Sequence, residues 1–315
     1  MNRVEGSDRV RALAALSVML AHLVGPSMGA YMYVFTGAPA VMAFFVVSGF
    51  CIHYPYVARP LPVGAFLSSR WTRIMIPSLI AMAGAQALGI REYNFVDGYI
   101  LWSIVCELAY YTIYPLLLLV RKRVGWLTLY VGSLGLAYVV AISFGSDKYG
   151  NITVYGPQLN WLVMLPSWLL GCILAEQLTN TRPTTSKSKL WLSRVAVAAI
   201  ASLTYWATLN TEIGFYLTMN PFALLVFWWL RQEIAAGGEG WLGWVGRRSY
   251  SIYLVHIVAA TLIQKFSFSY SFPPLAFAAF AFVLSLGFYE AVERPSHRLA
   301  RRLFQRFNPV VATTG

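Results

Sequence analysis

The sequence predicts an all-α, polytopic integral membrane protein of about ten transmembrane helices, with both termini on the cytoplasmic side. Three observations carry this. Hydrophobic residues make up 58% of the 315 residues and charged residues only 11%, against about a quarter charged in soluble domains. Apolar runs of about twenty residues fill the chain without period-2 alternation, and since lipid offers no partners to bare backbone groups, such runs must be helices. Finally, with the N-terminus inside, the alternating segments divide the 24 Lys and Arg residues 21 inside to 3 outside, the bias expected of cytoplasmic loops. That bias also accounts for the net charge of +12 through topology and anionic lipid rather than nucleic acid.

The expected spans lie near 9–29, 38–57, 74–90, 99–120, 126–144, 160–178, 190–210, 213–230, 245–265 and 272–293. The first follows Arg3, Arg9 and Arg11. Acidic Glu5 and Asp8 and the poor cleavage site Val24-Gly25-Pro26-Ser27 make it an uncleaved span rather than a signal peptide. Arg59, Arg70 and Arg73 separate the second span from the short third, and Arg91 separates the third from the fourth. Arg121-Lys122-Arg123 divides the fourth from the fifth, and Lys148 lies in the outer loop after it. Thr181–Lys189, rich in Ser, Thr and Lys, is the most loop-like stretch and follows the sixth span. Asn210-Thr211-Glu212 splits the seventh from the eighth. The inner loop Gly238–Gly243 leads through an interfacial segment to the ninth, and Lys265 precedes the tenth. Glu293-Arg294-Pro295 is expected to cap and stop the last span. One integral domain is expected over residues 1–315, with no fused soluble domain. Cys51, Cys106 and Cys172 fall inside spans without metal spacing or a disulfide framework.

An ionisable side chain within a span is costly and marks a candidate site. His22 follows Arg11 by eleven residues, three helical turns plus about 20°, so the two share a face. If Arg11 stands at the inner surface, His22 lies near the bilayer centre, about 16 Å along the helix. Glu107 reaches a similar depth from the other side, where it can orient an imidazole and offset its charge; a structural pair joining two helices is the other reading. Arg70 and Arg73 sit at i, i+3 on one helix face, an arrangement suited to phosphate or to anchoring at the inner surface. Tyr253 and His256 also share a face. His53 is expected near the outer interface as a solvated histidine, Glu176 at an inner interface, and Trp102 among the interfacial or packing aromatics. Gly238–Gly243 fits G-x-G-x-x-G but follows no strand, and Asn151-Ile152-Thr153 fits a glycosylation sequon; neither carries function here.

These motifs together resemble the acyltransferase-3 family of membrane acyl-CoA-dependent acyltransferases. Arg11 to His22 is similar to its opening R-x10-H, and Phe44-Phe45-Val46-Val47-Ser48-Gly49-Phe50 to its F-F-x-x-S-G-F. Arg70-Trp71-Thr72-Arg73-Ile74 with Pro77 resembles R-x-x-R-I-x-P, and Leu101-Trp102-Ser103 through Glu107 to Tyr114-Pro115-Leu116-Leu117 resembles its W-S-L-x-x-E and Y-P-L-L span. Ser249–His256 and Val292–Pro295 resemble its closing motifs. The chain departs from the pattern at Leu108-Ala109 and in a short stretch between Arg73 and Trp102.

The resemblance implies an enzyme of the bacterial inner membrane that binds no resident cofactor. Its co-substrate would be acyl-CoA, first of all acetyl-CoA, with the phosphates on Arg70 and Arg73. His22 would be the general base, or carry the acyl group itself, and Glu107 would support it. Arg11, Ser48, Trp102, Tyr253 and His256 would line the substrate site. The acceptor would be a hydroxyl, with a sugar or glycoconjugate the leading class. A proton-coupled transporter and a non-catalytic sensor or scaffold remain open on the same bundle; the absence of an inverted repeat counts against the transporter.

Overall fold

The computed structural model describes residues 4–96, 101–144, 156–180, 183–211, 215–238, 240–266 and 273–307. Among them every regular element is helical. The order is α1 (Glu5–Leu23), two 3-10 turns (Gly25–Ser27 and Gly29–Val34), α2 (Gly37–His53), a 3-10 turn (Tyr54–Tyr56) and α3 (Val63–Ala87). Then come α4 (Trp102–Phe144), α5 (Gly156–Asn180), α6 (Lys187–Asn210), α7 (Phe215–Ala236) and α8 (Gly240–Gly246). The chain ends with α9 (Ser249–Phe266), α10 (Pro274–Phe288), a π turn (Tyr289–Glu293) and α11 (Arg294–Phe307). Arg3, Lys148, the Asn151-Ile152-Thr153 sequon, Arg182, Glu212 and Glu239 lie outside the described residues.

Among the described residues, five helical stretches are long and apolar enough to cross a membrane: Gly37–Tyr56, Trp102–Phe144, Leu159–Thr179, Lys187–Asn210 and Pro274–Phe307; Ser249–Leu262 is a shorter apolar helix. The chain is a multi-pass membrane protein in which the outer helices turn large apolar side chains outward. Leu127, Val139 and Ile142 on α4, Trp191, Leu192 and Val195 on α6, and Leu275 and Val283 on α10 are all exposed, the reverse of a water-soluble surface and the face that lipid covers.

Several boundaries move. The fourth and fifth expected spans are the two halves of α4, which breaks at Gly125 (φ 78°, ψ 164°). A positive φ of this kind is open to glycine without a Cβ clash. The helix over the third expected span, α3, begins at Val63, not 74, and runs 25 residues; its Arg70 and Arg73 line a cavity, so hydropathy truncates it. The ninth span divides into α8 and α9 at Arg247-Arg248. The last helix does not stop at Pro295. The π turn Tyr289–Glu293, closed by the Arg294 amide on the Tyr289 carbonyl, comes just before the proline, and the chain continues as α11.

Close helix crossings position the interior. At α2–α5, Gly49 meets the Trp168 carbonyl and Gly171 meets the Val46 carbonyl, so a Cβ at either would fall inside the opposing backbone. Small residues let helices approach this closely in membranes. The crossing seats Ser48, one residue before Gly49, against the Trp168 indole, whose Nε1 donates to Ser48 Oγ at 3.3 Å. α1 lies against α2, α7, α8 and α9 at the centre of the bundle.

Candidate active site

A cavity of about 100 Å³ opens inside the bundle, lined by α1, α2, α3, α4, α9 and the π turn. Its charged lining is Arg11, Arg70, Arg73, Arg247, Glu107 and Glu293. A wider cavity of about 450 Å³ shares Arg11, Cys51, Arg70, Arg73 and Arg247 with it and adds Tyr54, Tyr56, Tyr289, Arg301 and Phe304. The two form one passage whose waist is the arginine cluster.

The acidic groups in this passage are already engaged. Glu293 is 1% exposed and accepts from the Ser251 amide at 3.0 Å and the Ser251 hydroxyl at 2.5 Å. Ser251 is in the first turn of α9, where amides lack intrahelical partners, so Glu293 caps that helix from the π turn. Glu107 Oε1 accepts from Ser48 Oγ at 3.0 Å and from the Tyr111 hydroxyl. Arg11 stands 3.8 Å from Asp8. Arg70 and Arg73 make no hydrogen bond or ion pair among the described residues; Arg70 lies over the rings of Phe66 and Tyr111, 5.7 and 6.0 Å from their centroids. Two half-buried guanidiniums one turn apart, with the nearby carboxylates of Glu293 and Glu107 hydrogen-bonded to Ser251, Ser48 and Tyr111 instead, are equipped to take a phosphate oxyanion.

At its inner end the passage reaches Phe44, Ser103 and Tyr253. α9 is pinned there by tyrosines. Tyr250 hydroxyl donates to the Ile74 carbonyl at 3.0 Å, next to Pro77, and pairs with Ser78 Oγ at 2.6 Å; Tyr253 hydroxyl pairs with Ser103 Oγ at 2.7 Å. The Tyr253 ring lies 5.9 Å from that of His256. His256, 2% exposed, meets His22, with Nε2 to Nδ1 at 3.2 Å and ring centroids 5.1 Å apart.

His22 occupies the last turn of α1 and is exposed; it differs from expectation in its partner. Its side-chain partner is His256, whereas Glu107 is spent on Ser48 and Tyr111 and does not pair with it. Equal depth on two helices says nothing about the direction in which each side chain points. Arg11 lines the passage and His22 stands beyond its inner end, so one helix carries a group at each. Ser48 and Tyr253 line the cavity as expected, while Trp102 packs edge-to-face on Phe45 at 5.9 Å and does not line it.

His53 is not solvated: it is wholly buried, with Nδ1 2.8 Å from the Tyr114 hydroxyl and Nε2 2.8 Å from Glu176. Glu176 also takes the Trp126 indole at 3.0 Å and pairs with Arg121. The group ties α2, both halves of α4 and α5 together. A second knot, unread in the sequence, surrounds buried Glu233: Arg194 donates to it at 2.6 and 3.1 Å and Arg9 pairs with it at 2.9 Å. Glu233 lies past residue 230, where an apolar run ends, although α7 continues to Ala236.

Residues 4–289 match the family described as acyltransferase domain. The chain belongs to the acyltransferase-3 family. No curated protein and no solved structure matches it. The match runs from α1 into the start of the π turn and covers every lining residue of the passage except Glu293 and those on α11. Membership makes the chain a membrane acyltransferase, an enzyme rather than a transporter or scaffold. Among the described residues no group of His, Cys, Asp and Glu side chains is arranged to hold a metal ion.

Proposed function

We propose that this acyltransferase moves an acyl group, in the first instance acetyl, from acyl-CoA to a carbohydrate hydroxyl. The observation that carries the donor assignment is the passage itself. It is cationic at the waist, holds Arg70 and Arg73 with no hydrogen bond or ion pair among the described residues, and leads to the Tyr253–His256–His22 row. A phosphorylated donor with a long flexible arm suits that shape: phosphates on the arginines, the wider chamber with Tyr54, Tyr289 and Arg301 for the nucleotide, and the arm directed inward. From Arg11 to His22 the arm covers about 16 Å along α1.

In this reading His22 takes the proton from the acceptor hydroxyl, and the oxygen attacks the thioester carbonyl. The C–S bond then breaks, and the departing thiolate recovers the proton from the imidazolium. Glu107, held by Ser48 and Tyr111, offsets the arginine charge within the cavity and shapes its wall. The exposed position of His22 suits an acceptor that arrives from the end opposite the arginines. The charge bias of 21 to 3 supports ten spans and cytoplasmic termini, which sets the arginine end toward cytoplasmic acyl-CoA. We assign the protein to the bacterial inner membrane on its family resemblance.

The test is saturable binding of radiolabelled acetyl-CoA to purified protein, displaced by free CoA, followed by transfer to glycan acceptors. Mass spectrometry of envelope glycans and small metabolites from cells with and without the gene would identify the acceptor. Absence of donor binding by folded protein would reject the assignment. Retained binding with acylation confined to a non-carbohydrate metabolite would replace the acceptor class alone.

A further inference from the structure

We propose that His256 is the positioning residue of the active site. It holds the His22 ring in the tautomer protonated at Nδ1, leaving Nε2 bare to take the acceptor's proton. The inference rests on the reading of His22 as general base and specifies which nitrogen acts and what fixes it.

Backbone carbonyls only accept hydrogen bonds. His256 Nδ1 lies 2.6 Å from the Tyr253 carbonyl and 3.2 Å from that of Ile252. A bare nitrogen facing two oxygens at those distances would be repelled, so Nδ1 carries the proton. An uncharged imidazole has one N–H, which leaves His256 Nε2 as an acceptor. That atom faces His22 Nδ1 at 3.2 Å, and the Val18 carbonyl faces the same His22 nitrogen at 3.0 Å. With acceptors on both sides, His22 Nδ1 is the donor. The lone pair of His22 is therefore on Nε2. That edge lies beside Gly37, where an added Cβ would stand 3.7 Å from Cε1 and 4.0 Å from Nε2, so the first residue of α2 crowds it with no side chain.

His256 is placed to do this by its own helix. Glu293 caps α9 at Ser251, Tyr250 and Tyr253 tie the next turn to α3 and α4, and His256 follows, buried. When His22 Nε2 gains a proton, the Nδ1–H donated to His256 becomes a charge-assisted bond and strengthens. In hydrolytic triads a carboxylate holds the catalytic ring in this way; here a second imidazole does so without bringing a negative charge into the bundle.

Two measurements test the proposal. The protein has four histidines, so nitrogen-15 NMR of histidine-labelled protein in nanodiscs, assigned with His22→Ala, reads the tautomer directly. The expected state is His22 protonated at Nδ1 and bare at Nε2. Loss of His256 should raise the share of the Nε2-protonated tautomer, because the Val18 carbonyl alone then faces His22 Nδ1. In steady-state transfer, His256→Ala should lower kcat about 10- to 100-fold, a loss typical of residues that orient a functional group, with KM for acyl-CoA unchanged. His256→Gln, whose amide oxygen can accept the same hydrogen, should recover most of it. The double variant His22→Ala/His256→Ala should be no slower than His22→Ala, because His256 acts through His22. His22 protonated at Nε2 in the wild-type protein, a Gln variant as slow as Ala, or a further loss in the double variant would each overturn the positioning role. A folded His22→Ala protein with normal transfer would instead overturn the general-base reading, and the NMR result would still report on the pair. If His256→Ala does not fold, the wild-type tautomer and the Gln variant decide.

Discussion

Removing Arg70 and Arg73 from the waist of the passage should separate donor binding from chemistry. Neither guanidinium has a hydrogen bond or ion pair to lose among the described residues, and the two face one cavity with Arg11 and Arg247. Hydrogen bonds to charged groups contribute about 1.5–3 kcal/mol, and each 1.4 kcal/mol is tenfold in affinity. Arg70→Ala or Arg73→Ala should therefore raise the Kd for acetyl-CoA about 10- to 100-fold. The double variant should fall short of the product of the two, since both arginines serve the same phosphates. Lysine should rescue poorly at 70, where the planar group lies against Phe66 and Tyr111. The same substitutions relieve repulsion between neighbouring cations, so the unfolding temperature should hold or rise. The assay is equilibrium binding at two salt concentrations with thermal unfolding in parallel; the variants should also lose salt sensitivity. An affinity within twofold of wild type in the folded double variant would show that the pair does not bind the donor. A lower unfolding temperature would show that it is structural.

Three further outcomes follow from the same structure. Gly49→Ala places a methyl group inside the Trp168 carbonyl at the α2–α5 crossing and should cost about 1–3 kcal/mol of stability; an unchanged unfolding midpoint in detergent would show that the helices can part there. Glu107→Gln keeps an acceptor for Ser48 and Tyr111 but removes the charge facing the arginines, so transfer should fall by less than in His22→Ala; a loss as large would return Glu107 to the chemistry itself. Reporter fusions should give alkaline phosphatase activity at Lys148 and cytoplasmic signal at Ser186, and the reverse pattern would invert the orientation.

Most of the helical framework was legible because lipid imposes one rule along the whole chain. Runs of apolar residues marked α2, α5, α6 and both halves of α4, and Arg121-Lys122-Arg123 marked the neighbourhood of the Gly125 break. The same rule misread α3. Arginines that face an internal cavity look, to a hydropathy count, like the end of a span. Pro295 misled for a related reason, since a π turn can carry a helix past a proline and sequence alone does not announce one.

The candidate site was legible as a set of residues but not as a set of pairs. Arg70 with Arg73 and Tyr253 with His256 are spaced within one helix, and helical geometry brings each pair together. His22 and His256 are 234 residues apart and meet only through the packing of α1 on α9. Matching depths suggested Glu107 for His22, but Glu107 points toward α2, where the Gly49 crossing presents Ser48. His53 was misplaced by the same lack of a third dimension. A histidine near a helix end can be solvated or sealed, and here Tyr114, Trp126 and Glu176 from two other helices seal it.

The central claim is that His22, at the end of the passage opposite the arginines, removes the acceptor's proton. The most direct measurement is acyl transfer by His22→Ala in membranes, normalised to folded protein, with acetyl-CoA binding measured on the same preparation. Transfer should fall by about 10² or more, while binding stays near wild type because the proposed phosphate site lies about three turns of α1 away. Transfer close to wild type in the folded variant, with donor still bound, would contradict the account.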